Sequence, residues 1–264
     1  MKITTLSLLI LLPILVCGQG LKKVSIQHKN PNFKEVYYVL KSDKSTRHGN
    51  YQKLNYNNAV VINGYYKNGL KDSIWNEYYW KGKKLKTKGN YTQDLKVGVW
   101  EFYNYEAKLQ QKYDFTKKEL LFNIDDNKIN DKKYKVINGT DTTEVVLERE
   151  PLYIGGDAMM YYSISRIIRY PRAARENGTS GKVFIAFIID VNGKTSDHRV
   201  ERGIGSGCDE EALKVVKEMP DTWIPGIIST SYMYITRGIY SNGFNFIEIW
   251  TAKRFSPKKV CIRI

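Results

Sequence analysis

The sequence contains little cysteine and little histidine. Of its 264 residues, three are cysteine and three are histidine. Cys208 and Cys261 are the two cysteines beyond the first 18 residues, and neither belongs to a Cys-x-x-Cys pair. None of the histidines belongs to a His-Glu-x-x-His motif, and they stand far apart: His28, His48 and His198. This scarcity argues against a disulfide framework, a metal site and a metal hydrolase, and we expect no cofactor.

The sequence also lacks the side-chain pairings on which catalysis depends. It shows no nucleophile beside a base and no pair of carboxylates with an evident role. Asp190, Asp197 and His198 are close in sequence, but a hairpin turn and an edge strand explain them more simply. The glycines between positions 203 and 207 lack the Gly-x-Gly-x-x-Gly spacing of a phosphate loop, and three acidic residues follow them. We therefore expect a protein that is not an enzyme.

The apolar run at the N-terminus is too short for a membrane-spanning helix. Residues 6–16 would form a helix of roughly 16 Å, against about 30 Å for the hydrocarbon core of a bilayer. The run follows Lys2 and ends at Val16-Cys17-Gly18, which is the layout of a signal peptide over residues 1–18. We expect export to the periplasm or cell envelope. A retained anchor and a lipid on Cys17 are the alternatives.

Basic residues outnumber acidic ones, and the formal net charge is +15. Such a balance raises the question of nucleic-acid binding. The lysines between positions 67 and 88, however, alternate with tyrosines and tryptophans, as on the solvated faces of strands. We expect no nucleic-acid partner and, at most, peripheral attraction to an anionic membrane surface.

A repeat of 25 residues occupies part of the first half of the chain. Six identities recur at this offset: Gly64 and Gly89, Tyr66 and Tyr91, Leu70 and Leu95, Lys71 and Lys96, Trp75 and Trp100, Tyr78 and Tyr103. Partial copies lie at residues 48–51 and 112–115. Each copy predicts a hairpin, in which Gly-x-Tyr opens one strand, a polar turn follows, and Trp-x-x-Tyr returns.

These hairpins resemble MORN-like repeats, and the resemblance covers residues 46–118. The aromatic side chains suit the half-buried surface of a sheet. We interpret them as hairpin core, with a sugar- or lipid-binding aromatic face as the alternative. Residues 19–45 form a lead-in segment. Residues 119–150 form a connector with two strand-like runs, at 134–137 and 144–147.

The second half begins with two predicted helices. Met160, Ile164, Ile167 and Ile168 recur with helical spacing. Pro171 ends this helix, since the residue before a proline is pushed away from helical angles. We place Pro171 as the first residue of a second, short helix that stops at Asn177-Gly178.

A hairpin and a third helix follow. Residues 182–190 are apolar on both faces of a predicted strand, so both faces need to be covered. Asn192-Gly193 predicts a tight turn, and residues 194–202 are polar enough to form an exposed edge strand. The next helix begins with three acidic residues, and its predicted buried residues are Ala212, Val215, Val216 and Met219.

The order of these motifs resembles the C-terminal domain of TonB, the energy transducer of Gram-negative outer-membrane transport. Residues 151–226 carry the resemblance in IRYPRAARENGTSGKVFIAFIIDVNGK, RGIGSGCDEEALKVVKEMP and WIPG. It implies a small α+β domain, in which two helices pack on an antiparallel sheet. With the hairpin-repeat sheet in front of this domain, we expect the fold class of the chain to be α+β. It also implies a function: binding the TonB-box peptide of an outer-membrane receptor by strand addition. Tyr170 and Pro171 correspond to a contact surface of the family.

The chain departs from the family in two ways. Its seven prolines are dispersed, and we find no anchor, so we expect it to reach an inner-membrane energising complex only through another protein. Residues 227–264 do not align with the family's ending, whose last strand provides an open border for the peptide. Residues 232–236 or 244–250 could replace that strand, which makes Tyr232, Tyr234 and Thr236 candidate contacts. The alternative function is an envelope scaffold that binds other protein partners.

Overall fold

The computed structural model describes residues 20–124, 133–138, 141–220, 222–227, 239–241, 247–251 and 262–263. The predicted signal peptide at residues 1–18 lies outside this part of the chain. The fold is α+β, as the sequence predicts. A long antiparallel sheet comes first, and a helix-on-sheet region follows it.

Nine strands form the first sheet, and each pairs antiparallel with the next in chain order. We call it the repeat sheet. Its strands are β1 (Leu21–Lys29), β2 (Asn32–Leu40), β3 (Arg47–Asn55), β4 (Val60–Lys67), β5 (Leu70–Tyr78), β6 (Leu85–Thr92), β7 (Leu95–Tyr103), β8 (Leu109–Asp114) and β9 (Glu119–Asn123).

The two complete hairpins lie where the 25-residue repeat predicts them. Asn68 and Gly69 join β4 to β5 with φ values of 51° and 86°. Gln93 and Asp94 join β6 to β7 with φ values of 50° and 66°. Positive φ at both turn residues matches the right-handed twist of the flanking strands, which explains the two-residue connections.

The sheet is longer than the predicted repeat. β1 and β2 lie in the lead-in segment, and β9 lies in the connector. None of these strands carries the Gly-x-Tyr or Trp-x-x-Tyr pattern. They join the sheet through backbone pairing with a neighbour, so the repeat gave no signal for them.

The two tryptophans of the repeat are core residues. Trp75 and Trp100 are 3% and 2% exposed. A Cβ atom built on Gly64 or Gly89 would lie 2.2 Å from the ring of Trp75 or Trp100, respectively. Each glycine therefore makes room for an indole on the neighbouring strand. The hairpin-core interpretation is confirmed for both tryptophans.

Two further strands lie close to the strand-like runs of the connector. They are β10 (Lys133–Asn138) and β11 (Asp141–Val146), which pair with each other. β10 also pairs with β16 (Ile239–Ser241). A separate two-residue pair joins β12 (Leu152–Tyr153) to β15 (Trp223–Ile224).

Among the described residues, the helix-on-sheet region contains three helices and a four-stranded antiparallel sheet. The helices are α1 (Gly156–Ile167), α2 (Arg172–Asn177) and α3 (Cys208–Glu218); the strands are β13 (Gly181–Ile189), β14 (Thr195–Arg202), β17 (Ile247–Thr251) and β18 (Ile262–Arg263). The core contains the predicted helix residues Met160, Ile164, Ala212 and Val215 beside Ile185, each at most 1% exposed. Full burial of one such aliphatic side chain contributes about 1.5–3 kcal/mol.

The boundary between α1 and α2 differs from the prediction. α1 ends at Ile167, and Ile168 already has an extended ψ of 135°. Pro171 precedes the first helical residue of α2 and acts as its N-cap, with φ −60° and ψ 142°. The predicted stop at Gly178 is confirmed, since Gly178 is left-handed with φ 64°.

A buried glutamine joins the repeat sheet to the helix-on-sheet region. Gln111 of β8 is fully buried. Its Oε1 accepts a hydrogen bond of 2.6 Å from the Gly155 N–H, and its Nε2 donates one of 3.3 Å to the Tyr153 carbonyl. Ile224 packs nearby against Trp100 and other aromatic residues of the sheet. The two regions therefore share a packed and hydrogen-bonded interface.

Candidate peptide-binding face

The small sheet is built around β13, which lies between β14 and β17. β17 pairs antiparallel with β13 from Gly181↔Thr251 to Ile185↔Ile247. Of the two segments that the sequence analysis offers as the last strand of this sheet, β17 overlaps the one at residues 244–250. The other one, at residues 232–236, lies outside the described residues together with Tyr232, Tyr234 and Thr236.

The outer border of β17 is not fully open, which corrects the sequence-based expectation. β18 pairs with Glu248 and Ile249 through two of the chain's own residues, Arg263 and Ile262. Among the described residues, this pairing covers two of the five positions of β17. A border that the sequence predicts to be open is therefore partly occupied by a strand of two residues.

β14 lies at the opposite end of the sheet, as predicted for an edge strand. Within it, the Arg199 guanidinium contacts the carboxylates of Asp197 and Glu201 at 2.6 Å each. Asp197 has a φ of 49°, and the pairing with β13 shifts register between Ala186 and Ile188. Charged side chains and irregular pairing are features with which natural edge strands avoid unwanted pairing.

Tyr170 lies in the extended link between α1 and α2. Its side chain is half-buried and packs against the helix-on-sheet core. Its hydroxyl donates a hydrogen bond of 2.7 Å to the Thr179 carbonyl. The side chain thus fixes the end of α2 against the link. Its role in contacting a partner stays a prediction.

Pro171 connects α2 to the glycine-rich loop before α3. Its carbonyl accepts a 3.1 Å hydrogen bond from the Arg175 N–H. A Cβ atom on Gly207 would lie 3.2 Å from the Pro171 Cβ. The hydroxyls of Thr179 and Ser206 are 2.8 Å apart. The Tyr170-Pro171 link, α2 and the loop at 203–207 therefore form one continuous surface.

An internal carboxylate organises the glycine-rich loop. The Ile204 and Gly205 N–H groups donate to the Asp209 carboxylate at 2.8 and 3.1 Å. In a phosphate loop, such N–H groups would bind the ligand's anion. Here the Asp209 carboxylate takes the place of that anion, which confirms that the loop is a turn into α3.

The carboxylate of Glu211 has a similar role in the link between the helices. It accepts a hydrogen bond of 2.6 Å from the Arg169 N–H. The sequence predicts Asp209 and Glu211 only as favourable charges at a helix N-terminus. The Arg169 N–H is distant in sequence from Glu211, and the sequence carries no signal for such a tertiary contact. The same is true of Thr179 as the partner of Tyr170.

Two features are absent from the part of the chain that the structure describes. It contains no group of three or more His, Cys, Asp or Glu side chains that could hold a metal ion. It also contains no helix of the length and hydropathy that a membrane span requires.

Among known proteins, one family model matches part of this region. No curated protein and no solved structure matches the chain. Residues 167–233 match the family model described as the Gram-negative bacterial TonB protein C-terminal. The matched residues include the link with Tyr170 and Pro171, the hairpin β13–β14 and α3. The match supports the presence of a TonB C-terminal domain in this part of the chain.

Proposed function

We propose that the protein acts in, or alongside, TonB-dependent transport by binding an extended peptide of an outer-membrane receptor through strand addition. The observation that carries this proposal is the family match over residues 167–233. The small sheet supports it, because strand addition needs a sheet with a border that accepts main-chain hydrogen bonds.

The accepting border in this proposal is the outer side of β17. Within the described residues, its partner β18 pairs with it at two positions. Since each net backbone hydrogen bond contributes about 0.5–1.5 kcal/mol, a longer peptide that pairs along the whole strand would displace β18. Tyr170 and Pro171, with Tyr232, Tyr234 and Thr236, are the side chains proposed to contact the peptide.

The proposed role is not that of an autonomous transducer. An exported protein that binds a receptor peptide still needs a mechanical link to the inner membrane before it can transmit force. We propose that another protein of the envelope provides that link, and that this chain is located in the periplasm or at the envelope.

Fluorescence anisotropy with a labelled TonB-box peptide tests the proposal. We expect saturable binding in the micromolar range. A control peptide with two central residues replaced by proline should bind about tenfold more weakly, because proline lacks the N–H group that pairs with a strand. Absence of binding at high micromolar concentration, or equal binding of the proline peptide, would contradict strand addition.

Amide hydrogen exchange locates the binding border. With the peptide bound, we expect increased protection at residues 247–251 and decreased protection at residues 262–263. Protection that increases only in β14 would show that the peptide pairs at the opposite end of the sheet and would overturn the assignment to β17.

A further inference from the structure

A ladder of aromatic rings crosses one face of the repeat sheet. Consecutive rings meet edge to face, with centroid distances between 5.0 and 5.9 Å. In order, the rings are Tyr51, Tyr66, Trp75, Tyr91, Trp100 and Phe115. The first, third and fifth rings are buried, whereas the other three are half-buried. The ladder is therefore a continuous row of rings in which buried and half-buried rings alternate.

Each repeat unit adds one cation to this ladder. The Lys71 ammonium lies 4.6 Å from the ring centroid of Trp75 and 4.8 Å from that of Tyr91. The Lys96 ammonium lies 4.5 Å from Trp100 and 5.0 Å from Phe115.

Arg47 has the equivalent position in the first unit, with its guanidinium 5.5 Å from the ring centroid of Tyr51 and 5.4 Å from that of Tyr66. Like Lys71 and Lys96, Arg47 stands four residues before a buried ring on its own strand. We call Arg47, Lys71 and Lys96 the cation row.

The acidic groups near the row compensate only part of its charge. In the described part of the chain, no carboxylate oxygen lies within 4.0 Å of the Lys71 or Lys96 ammonium. Glu77 lies nearby, but its close partner is the Lys86 ammonium at 2.7 Å. Arg47 is 3.6 Å from the Glu35 carboxylate.

Desolvation and neighbouring positive charges both act on the Lys96 ammonium. Its side chain is exposed by surface area, although its ammonium is desolvated by the surrounding protein. Desolvation lowers the pKa of Lys96, and the charges of Lys71 and Lys86 lower it further, against the opposing effect of Glu77. An anion bound at the row would relieve this repulsion.

The spacing of the row indicates the shape of such an anion. Equivalent residues of successive hairpins lie two strands apart, which corresponds to about 9.4–9.8 Å. A polyproline II helix advances about 9.3 Å in one turn of three residues, so every third side chain points in the same direction. A β-strand alternates its side chains between two sides, and a three-residue period would not keep acids on one side.

We propose that the cation row binds an acidic peptide in the polyproline II conformation, with Asp or Glu at every third residue, lying across the strands of the repeat sheet. The half-buried rings of Tyr66 and Tyr91 supply the aromatic lining that such helices contact. This surface is separate from the β17 border and binds a different class of peptide. It does not depend on the receptor-peptide proposal.

A labelled (Pro-Pro-Glu)4 peptide, added to the full chain, tests this proposal by fluorescence anisotropy. Its comparison peptide has the same composition with the four glutamates clustered at one end. We expect the periodic peptide to bind at least about tenfold more tightly, and its affinity to fall as salt increases. Equal binding of both peptides would overturn the proposal, because charge alone would then explain the affinity.

Charge reversal identifies the face that binds. Lys71→Glu and Lys96→Glu should each weaken binding of the periodic peptide about tenfold or more. Lys88→Glu is the matched control, because Lys88 is exposed and neighbours Gly89, which faces the ladder, on the same strand. It should change the affinity less than about twofold. Equal losses in all three variants would overturn the assignment to the row.

Three further measurements distinguish the possible outcomes. Near-ultraviolet circular dichroism reports the aromatic ladder directly, so an unchanged spectrum shows that a variant has kept its fold. Lys71→Gln should also weaken binding, with less disturbance of the sheet than Lys71→Glu.

Polygalacturonate tests for a different partner. If it binds, if Lys71→Glu and Lys96→Glu weaken that binding, and if the periodic peptide does not bind, the partner is an anionic glycan and the peptide proposal is contradicted.

Discussion

The repeat sheet and the helix-on-sheet region bury their apolar residues in different ways. In the repeat sheet, aromatic rings pack between neighbouring strands that are also neighbours in the chain, as Trp100 does over Gly89. In the helix-on-sheet region, aliphatic residues such as Ile164 and Ile185 fill a core between helices and strands that are distant in sequence. The first arrangement is local and periodic, and the second depends on long-range closure.

The difference predicts different responses to substitution. A local ladder distributes its stability over many small cross-strand contacts of roughly 0.2–1 kcal/mol each. A closed aliphatic core concentrates stability in a few fully buried side chains. Single substitutions should therefore have larger effects in the helix-on-sheet region, except where a repeat position has no spare space.

The largest effect should come from Ile164→Ala in α1. Ile164 is fully buried beneath the small sheet, so the substitution removes apolar contacts and leaves a cavity. We expect a loss of about 2–5 kcal/mol in the free energy of unfolding, measured by urea denaturation. Ser165→Ala on the exposed side of the same helix is the control and should stay within about 0.5 kcal/mol. Equal effects of both would contradict the closed core.

Gly89→Ala tests the exception in the repeat sheet. Its Cβ would meet the Trp100 ring at 2.2 Å, so either the indole or the strand must shift. Overpacking of this kind costs about 1–3 kcal/mol. In a Trp100→Ala background the same substitution should cost much less, and the double-mutant cycle in urea would measure the coupling between the two residues. Additive effects would show that Gly89 is needed for another reason.

Local patterns allowed much of this fold to be predicted from the sequence. The turns at Asn68-Gly69 and Gln93-Asp94, the buried face of α3 and the stop at Gly178 follow from spacing and residue type alone. The position of Pro171 was off by one residue, because a proline suits both the N-cap and the first turn. β1, β2 and β9 were missed, since none of them carries the motif of the repeat.

The candidate peptide-binding face was less accessible to sequence reasoning. Motif order pointed to the small sheet and to Tyr170, but it did not indicate that β18 pairs with β17. The strand at the edge of a sheet depends on which distant segment pairs with it, and strand propensity alone does not specify that segment. The hydrogen bonds from Tyr170 to the Thr179 carbonyl and from the Arg169 N–H to Glu211 likewise join separate segments.

Gln111→Ala tests whether the two regions unfold together. The substitution leaves the Gly155 N–H and the Tyr153 carbonyl without their buried partner, which should cost about 1–3 kcal/mol. If this interface couples the two regions, the urea transition of the Gln111→Ala variant should broaden or separate into two steps. Near-ultraviolet circular dichroism measures the transition. Gln110→Ala, next to it on the same strand, is the control. A single, unchanged transition in the Gln111 variant would show that the coupling lies elsewhere.

The smallest effect should come from Tyr170→Phe, and it bears most directly on function. The variant keeps the ring that packs on the core and removes only the hydrogen bond to the Thr179 carbonyl, so we expect a loss of about 0.5–1.5 kcal/mol in stability. If Tyr170 only fixes the end of α2, the affinity for a TonB-box peptide should stay unchanged at a temperature where both proteins are folded. A loss of affinity greater than the change in stability explains would instead show that the hydroxyl takes part in peptide binding. The Tyr170 hydroxyl would then have two partners, because it would bond to the Thr179 carbonyl in the unbound protein and to the peptide in the complex.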